Sequence, residues 1–239
     1  MNRDTAYPSD PAGLRIAITG GTSGLGLALA QAWHARGAHV AFVARDAARV
    51  GRVAQQLPGA AGIAGDVSDK AQVHRIALQA TGALGGLDVL VNNASSLGPV
   101  PLKLLADTEC EEMEAALATN LLAPLRLTRA LLGALSASAR AGRGAVVLNV
   151  SSDAALTPYP RWGAYGASKA ALHHLSRIWD EELRDEGVRV LSLDPGDMDT
   201  PLHAAAVPDA DPAGLKRPAD AARELTQAIL QALAERRPA

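Results

Sequence analysis

The stretch LRIAITGGTSGLG at residues 14–26 decides how this chain folds. Residues 14–19 form a short apolar run that reads as a buried strand, and it leads straight into Gly20-Gly21-Thr22-Ser23-Gly24-Leu25-Gly26. LALAQAWHARG follows with helical periodicity, and Gly37 is its stop. Strand, glycine turn and helix N-terminus in that order make an anion site, because backbone N–H groups and the positive end of the helix dipole face a pyrophosphate. Gly20, Gly24 and Gly26, spaced TGxxxGxG, let the backbone approach the ligand and the helix pack on the strand.

Outward from there, strands and helices alternate. Residues 38–44 (AHVAFVA) read as a second buried strand that ends at Arg45-Asp46. The end of this strand lies beside the adenosine ribose, where an acidic residue binds a 2′-hydroxyl and an arginine suits a 2′-phosphate. Arg45 therefore favours NADP over NAD, with Asp46 as the alternative ribose ligand. A helix is expected over 46–57, a strand over 61–65 leading to Asp66-Val67, a helix over 68–81, and a fourth strand over 87–91 giving way to Asn92-Asn93-Ala94-Ser95. The alternation predicts an α/β fold with one doubly wound parallel sheet and helices on both faces. Its ligand crevice lies at the carboxyl ends of the strands, where Asp66 and Asn92 fall. Asn93 reads instead as an asparagine that ties neighbouring strands together.

In the second half, Thr108-Glu109-Cys110-Glu111 has capping-box spacing and opens a helix to about residue 138. Pro124 stands four residues after Asn120, so a kink or a bound water is expected at the Asn120 carbonyl. A strand over 145–150 ends at Ser151-Ser152, and a loop over 153–162 reaches a helix over 163–186. On that helix Tyr165 and Lys169 stand one turn apart on one face. An ammonium near a phenol lowers the phenol's pKa, and a phenol tuned that way moves a proton to or from a substrate oxygen. The Ser152 hydroxyl, at a strand end, can bond the same oxygen. A strand over 188–193 precedes Asp194-Pro195-Gly196-Asp197-Met198-Asp199-Thr200. Residues 201–217 read as a lid and 218–236 as a last helix. Arg161, Trp162, Met198 and His203 flank the expected pocket and hint at an aromatic or polar carbonyl compound.

The 239 residues suit one domain, and 48% apolar content supplies a substantial core. A net charge of −2 points to neither nucleic acid nor acidic partners. Cys110 is the only cysteine, and the adjacent His173 and His174 diverge on a helix, so no metal site is expected. Residues 1–13 read as a loose tail rather than a signal peptide, and no apolar run is long enough to span a membrane, so a soluble cytoplasmic protein is expected.

Taken in order, TGGTSGLG at 19–26, NNAS at 92–95, Asn120, Ser152 with YGASK at 165–169, and DPGDMDT at 194–200 make residues 14–236 resemble the classical short-chain dehydrogenase/reductase family. The resemblance implies a Rossmann-type fold and hydride transfer between a nicotinamide and a carbonyl or alcohol carbon. It implies Tyr165 as acid/base, Ser152 as orienter of the substrate oxygen, Lys169 on the nicotinamide ribose, Asn120 holding a relay water and Thr200 on the carboxamide. Cofactor contacts are expected also from Thr22, Ser23, Leu25, Val67, Ala94, Pro195, Gly196 and Met198. An NADPH-dependent carbonyl reductase is the leading expectation; an NAD-dependent alcohol dehydrogenase and a non-catalytic cofactor-binding protein are the alternatives. The chain departs from the family at Ser95, where Gly is usual, at Asp194, where Asn is usual, and in lacking a final strand after the last helix. That last departure favours a homodimer through helices 108–138 and 163–186 over a tetramer.

Overall fold

The structure, a computed structural model, describes residues 11–235. Of the expected tail, residues 1–10 lie outside the described residues. Residues 11–13 are held in place: Gly13 N donates to Gly37 O at 3.0 Å, and the Arg143 guanidinium donates to Gly13 O at 2.8 Å.

Six parallel strands, β1 Arg15–Thr19, β2 His39–Ala44, β3 Ala61–Ala64, β4 Val89–Asn92, β5 Ala145–Val150 and β6 Val188–Leu193, form one sheet in the order β3-β2-β1-β4-β5-β6. This is the Rossmann-type doubly wound sheet that the alternating pattern predicts. Side chains alternate across it with the period of two that a strand imposes. Ile16 and Ile18 of β1 and Val89 and Val91 of β4 join the core under α1 (Gly24–His34), α2 (Ala47–Gln56) and α8 (Pro218–Ala234). Ala17 and Leu90 face the opposite core, under α3 (Val73–Leu84), α5 (Ala123–Arg140) and α6 (Gly163–Glu182). Leu127, Leu131 and Leu135 recur at helical spacing along the buried stripe of α5. Each such burial is worth roughly 1.5–3 kcal/mol, enough to fix which side of the helix meets the sheet. The shorter α4 (Cys110–Leu117) and α7 (Pro201–Ala206) stand at the carboxyl side of the strands.

Three local expectations shift. α3 begins at Val73 rather than 68, because Asp66 and Asp69 accept from Ser68 N and Ala71 N at 2.9 Å each and hold that segment in turns. α4 is capped one residue later than expected. Glu109 and Glu112 form the capping box, while Thr108 donates back to Leu104 O at 2.9 Å. The expected kink before Pro124 takes the form of a π turn at Ala118–Leu122, closed by Ala123 N on Ala118 O. Proline offers no N–H to the Asn120 carbonyl, so widening the turn there forfeits little. Among the described residues no strand follows α8, and no helix is long and apolar enough to cross a membrane.

Candidate active site

A cavity of about 1000 Å³ runs along the carboxyl ends of the strands, across the point between β1 and β4 where the strand order reverses. At one end Gly20, Thr22, Ser23, Gly24 and Leu25 line it. Gly20 and Gly24 take φ of 69° and 48°, which side chains disfavour. Ser23, the N-cap of α1, makes no side-chain cap bond, so the first-turn N–H groups are left open toward the cavity. Gly26 is not part of the lining. A Cβ there would lie 2.2 Å from Gly20 O, so this glycine lets the helix pack on the turn.

Beyond the end of β2, Arg45 and Arg49 line the cavity, and among the described residues neither guanidinium makes an ion pair or a hydrogen bond. Arg49 was not anticipated, although it stands one helical turn after Arg45. Asp46 is occupied as the cap of α2, accepting from Arg49 N at 3.0 Å. Asp66 and Val67 line the next stretch; one oxygen of Asp66 takes both the hydroxyl and the N–H of Ser68, at 2.7 and 2.9 Å.

The paired asparagines sort differently from expectation for Asn92. Strand parity turns Asn92 away from the cavity: it is buried and donates to Asn149 Oδ1 at 2.8 Å, tying β4 to β5. Asn149 continues to Ser176 Oγ on α6 at 2.8 Å. Asn93, together with Ala94 and Ser95, lines the cavity, and it also holds the strand ends together by donating to Thr19 O at 2.9 Å.

Asn120 is buried behind the cavity wall, and its amide is fully spent. Oδ1 accepts from Ser95 Oγ at 3.1 Å and Ser96 N at 2.8 Å, while Nδ2 donates to Ser96 O at 2.7 Å and Ser168 Oγ at 2.8 Å. An amide has two donors and two acceptor lone pairs, so none remains for a water. Only its main-chain carbonyl, which Pro124 cannot reach with an N–H, is left for that purpose.

Tyr165 and Lys169 lie buried one turn apart on α6, and both line the cavity with Ser152. Lys169 Nζ donates to Val150 O at 2.7 Å and sits 5.6 Å from the Tyr165 ring centroid. Lys169 does not lower the phenol here as expected. Burial pushes Tyr165 up to about 12, with the Ser152 and Ser95 hydroxyls beside it pulling the other way. Burial also lowers Lys169 to about 8, and its ammonium lies over the ring and points at a carbonyl rather than at the phenol oxygen. Asp194, exposed at the end of β6, accepts from Gly196 N at 2.9 Å, and its charge favours the protonated forms of both Tyr165 and Lys169. Pro195, Gly196, Met198 and Thr200 complete this wall. Thr200 caps α7 and packs its methyl against the Gly24 turn, where an added Cβ would meet it at 3.1 Å. Trp162, Met198 and His203 also line the cavity; Arg161, exposed with φ of 72°, does not.

Residues 15–211 match the family model described as short chain dehydrogenase. This chain is a member of the short-chain dehydrogenase/reductase family. A glucose 1-dehydrogenase from Gluconobacter oxydans is 30% identical over 96% of this chain and 88% of its own length. The solved 3-ketoacyl-(acyl-carrier-protein) reductase from Brucella melitensis, complexed with NADH, superposes with a TM-score of 0.86 at 30% identity, covering 93% of each chain. A short chain dehydrogenase from Burkholderia cenocepacia in complex with NADP gives 0.81 at 26% identity, over 92% of each chain.

As a short-chain dehydrogenase/reductase the chain is an NAD(P)-dependent oxidoreductase, and its residues fit the dinucleotide. The open N-terminus of α1 suits a pyrophosphate, and the glycines, free of side chains, let its backbone come close. Among the described residues no group of His, Cys, Asp and Glu is arranged to hold a metal ion. In this short-chain dehydrogenase/reductase, Ser95 is more than a small departure: its hydroxyl donates to Asn120 Oδ1 at 3.1 Å and stands beside Tyr165, where it favours the ionised phenol. Nothing in the sequence pattern alone marked that contact with Asn120.

Proposed function

We propose that this protein is an NADPH-dependent reductase of ketones or aldehydes. The observation that carries the cofactor preference is the pair of guanidiniums, Arg45 and Arg49, that have no partner among the described residues at the end of β2, where Asp46 caps α2. Two arginines without a partner among the described residues suit a dianionic 2′-phosphate, whereas a bare ribose hydroxyl calls for an acid, and Asp46 has one oxygen committed to Arg49 N.

When bound, the nicotinamide supplies the hydride. Tyr165 gives its phenolic proton to the substrate oxygen, and the Ser152 hydroxyl, turned from Asp153 Oδ1, donates a hydrogen bond to the same oxygen. Lys169, anchored on Val150 O, steadies the negative charge that the phenol then carries. Burial keeps Tyr165 protonated through neutral pH, the form that a reduction needs at its start. Asn120 holds Ser96 and Ser168 in place with its amide and offers its main-chain carbonyl to a relay water. Thr22, Ser23, Leu25, Val67, Ala94, Pro195, Gly196, Met198 and Thr200 form the walls of the dinucleotide site. Residues 201–217, with α7 at their start, act as the lid, and a homodimer forms through helices 108–138 and 163–186, where Ile178 of α6 is exposed.

Titration with NADPH and NADH, followed by nicotinamide fluorescence, tests the reading. Tight NADPH and weak NADH binding are expected; the reverse preference overturns the role of Arg45 and Arg49 and makes alcohol oxidation with NAD the better reading. Light scattering during gel filtration tests the dimer.

A further inference from the structure

Beyond Tyr165 the cavity enters a chamber that belongs to neither core of the sheet. Leu97, Ala154 and the Tyr165 ring form a separate apolar cluster, against which Leu102, Trp162, Ala205 and Ala206 pack. Trp162 meets Tyr165 edge-on, with ring centroids 5.6 Å apart. Three segments thus converge on the catalytic tyrosine: residues 95–102, the loop 153–162 and the helix α7. Val100, Tyr159, Leu202 and Val207 are among the large apolar side chains that the described residues leave exposed, and all four line the cavity. Apolar side chains gathered at one mouth mark a surface that a ligand covers.

The charged groups at the mouth of this chamber are acids, and its one lining lysine, Lys169, is buried beneath the Tyr165 ring. Asp153, Asp194 and Asp197 line it. Asp153 takes the Tyr159 hydroxyl at 2.7 Å and the Ser152 hydroxyl at 3.0 Å, and Asp194 takes Gly196 N. His203 lies 4.0 Å from Asp197. The cations lie elsewhere or are engaged: Arg45 and Arg49 are beside β2, at the far end of the cavity, and Arg161 is outside the lining. Lys169 bonds Val150 O, and Lys216 bonds Pro195 O and Glu224. A substrate carboxylate or phosphate entering here would leave water, find among the described residues no exposed cation to pair with, only the buried Lys169 bonded to Val150 O, and face three acids.

Building on the reductase reading above, we propose that the substrate is an uncharged, predominantly apolar ketone or aldehyde, bound between residues 95–102, the loop 153–162 and α7 with its carbonyl oxygen at Ser152 and Tyr165. Sugar acids, keto acids and phosphorylated carbonyl compounds are excluded by the same features.

Methyl benzoylformate and benzoylformate carry the same aryl ketone and differ by one charge, so their reduction by the NADPH-loaded enzyme isolates the question. The kcat/KM for the ester should exceed that for the acid by more than about 100-fold, the cost of an unpaired carboxylate in such a chamber. Leu202→Arg, which places a cation on the exposed side of α7, should move that ratio toward the acid by about tenfold. Quenching of tryptophan fluorescence, with Trp162 in the chamber wall, ranks the two ligands without turnover and should favour the ester. Reduction of the acid at least as efficiently as the ester overturns the substrate class and leaves the reductase standing. Turnover of neither compound by enzyme that binds NADPH, nor of a wider set of neutral carbonyl compounds, overturns both.

Discussion

The two ends of the sheet treat charge in opposite ways. At the amino end, just before β4, Asp88 is fully buried and its carboxylate is saturated. Arg15 reaches it through its backbone N–H at 2.8 Å and its guanidinium at 2.6 and 3.2 Å. Arg143 reaches it at 2.8 and 3.1 Å, and the Ser138 hydroxyl donates to it as well. These donors outweigh the burial and hold the acid well below the usual carboxylate range. At the carboxyl end two arginines have no partner among the described residues, a helix N-terminus has no side-chain cap, and burial weakens a lysine's charge. Polar groups that close on one another fasten β1, β4 and α5 together. Groups left open at the other end are the ones that a ligand completes.

That contrast predicts that each end answers to a different assay. Tyr165→Phe should show the largest effect, a fall in carbonyl reduction of about 10²–10⁴-fold with melting temperature and NADPH affinity unchanged; full activity in this variant would remove the tyrosine from the chemistry. Asp88→Ala should do the reverse. It leaves two guanidiniums facing each other without their acid and should cost about 3–5 kcal/mol, a drop in melting temperature on the order of 10 °C, while the enzyme that remains folded binds NADPH as before. Because Asp88 titrates lower when folded, its contribution is complete above the unfolded carboxylate value of about 4 and fades as pH falls toward the folded value. Acid unfolding monitored by circular dichroism should therefore lose this dependence in the variant.

Smaller effects sharpen the comparison. Arg45→Ala and Arg49→Ala should each weaken NADPH binding by about tenfold or more, the worth of a charge-assisted hydrogen bond, and leave NADH binding and stability alone. Lys169→Met should abolish most activity and yet raise stability at pH 7, by an amount on the order of 1–3 kcal/mol. Between about 8, the folded value, and 10.5 the unfolded chain holds a proton that the folded chain does not. Wild-type stability should therefore climb with pH across that window, and the climb should vanish in the variant. A fall in stability on removing Lys169 would erase the distinction between the two ends.

The strands were legible because buried parallel strands are continuous apolar runs, and 14–19, 38–44 and 145–150 announce themselves that way. The glycine turn was legible because strand, turn and helix must follow one another for the turn to work. What failed to show depends on direction, which a string of letters does not carry. Asn92 and Asn93 differ by one step in parity, and that step sends one amide to Asn149 on β5 and the other toward β1. Asn120 was visible as an odd residue in a helix, but not the neighbours that exhaust its amide. The α4 cap slipped by one because Thr108 and Glu109 each precede a glutamate at the right spacing, and backbone geometry chose the second. Arg49 needed the knowledge that α2 starts at once after β2 and turns that side chain back over the strand end.

The π turn at 118–122 also makes this helix a record of its own construction. An α-helix advances about 100° per residue, so one extra residue in a turn rotates everything on one side relative to the other by that angle. Here the offset lets Leu127, Leu131 and Leu135 face the sheet while Asn120 faces Ser96 and Ser168. Deleting a single residue from this segment would give a more regular helix in which those two faces can no longer both be served. Engineering that shortens or idealises this helix should therefore trade the wall of the active site against the core, however favourable the new sequence is for helix formation.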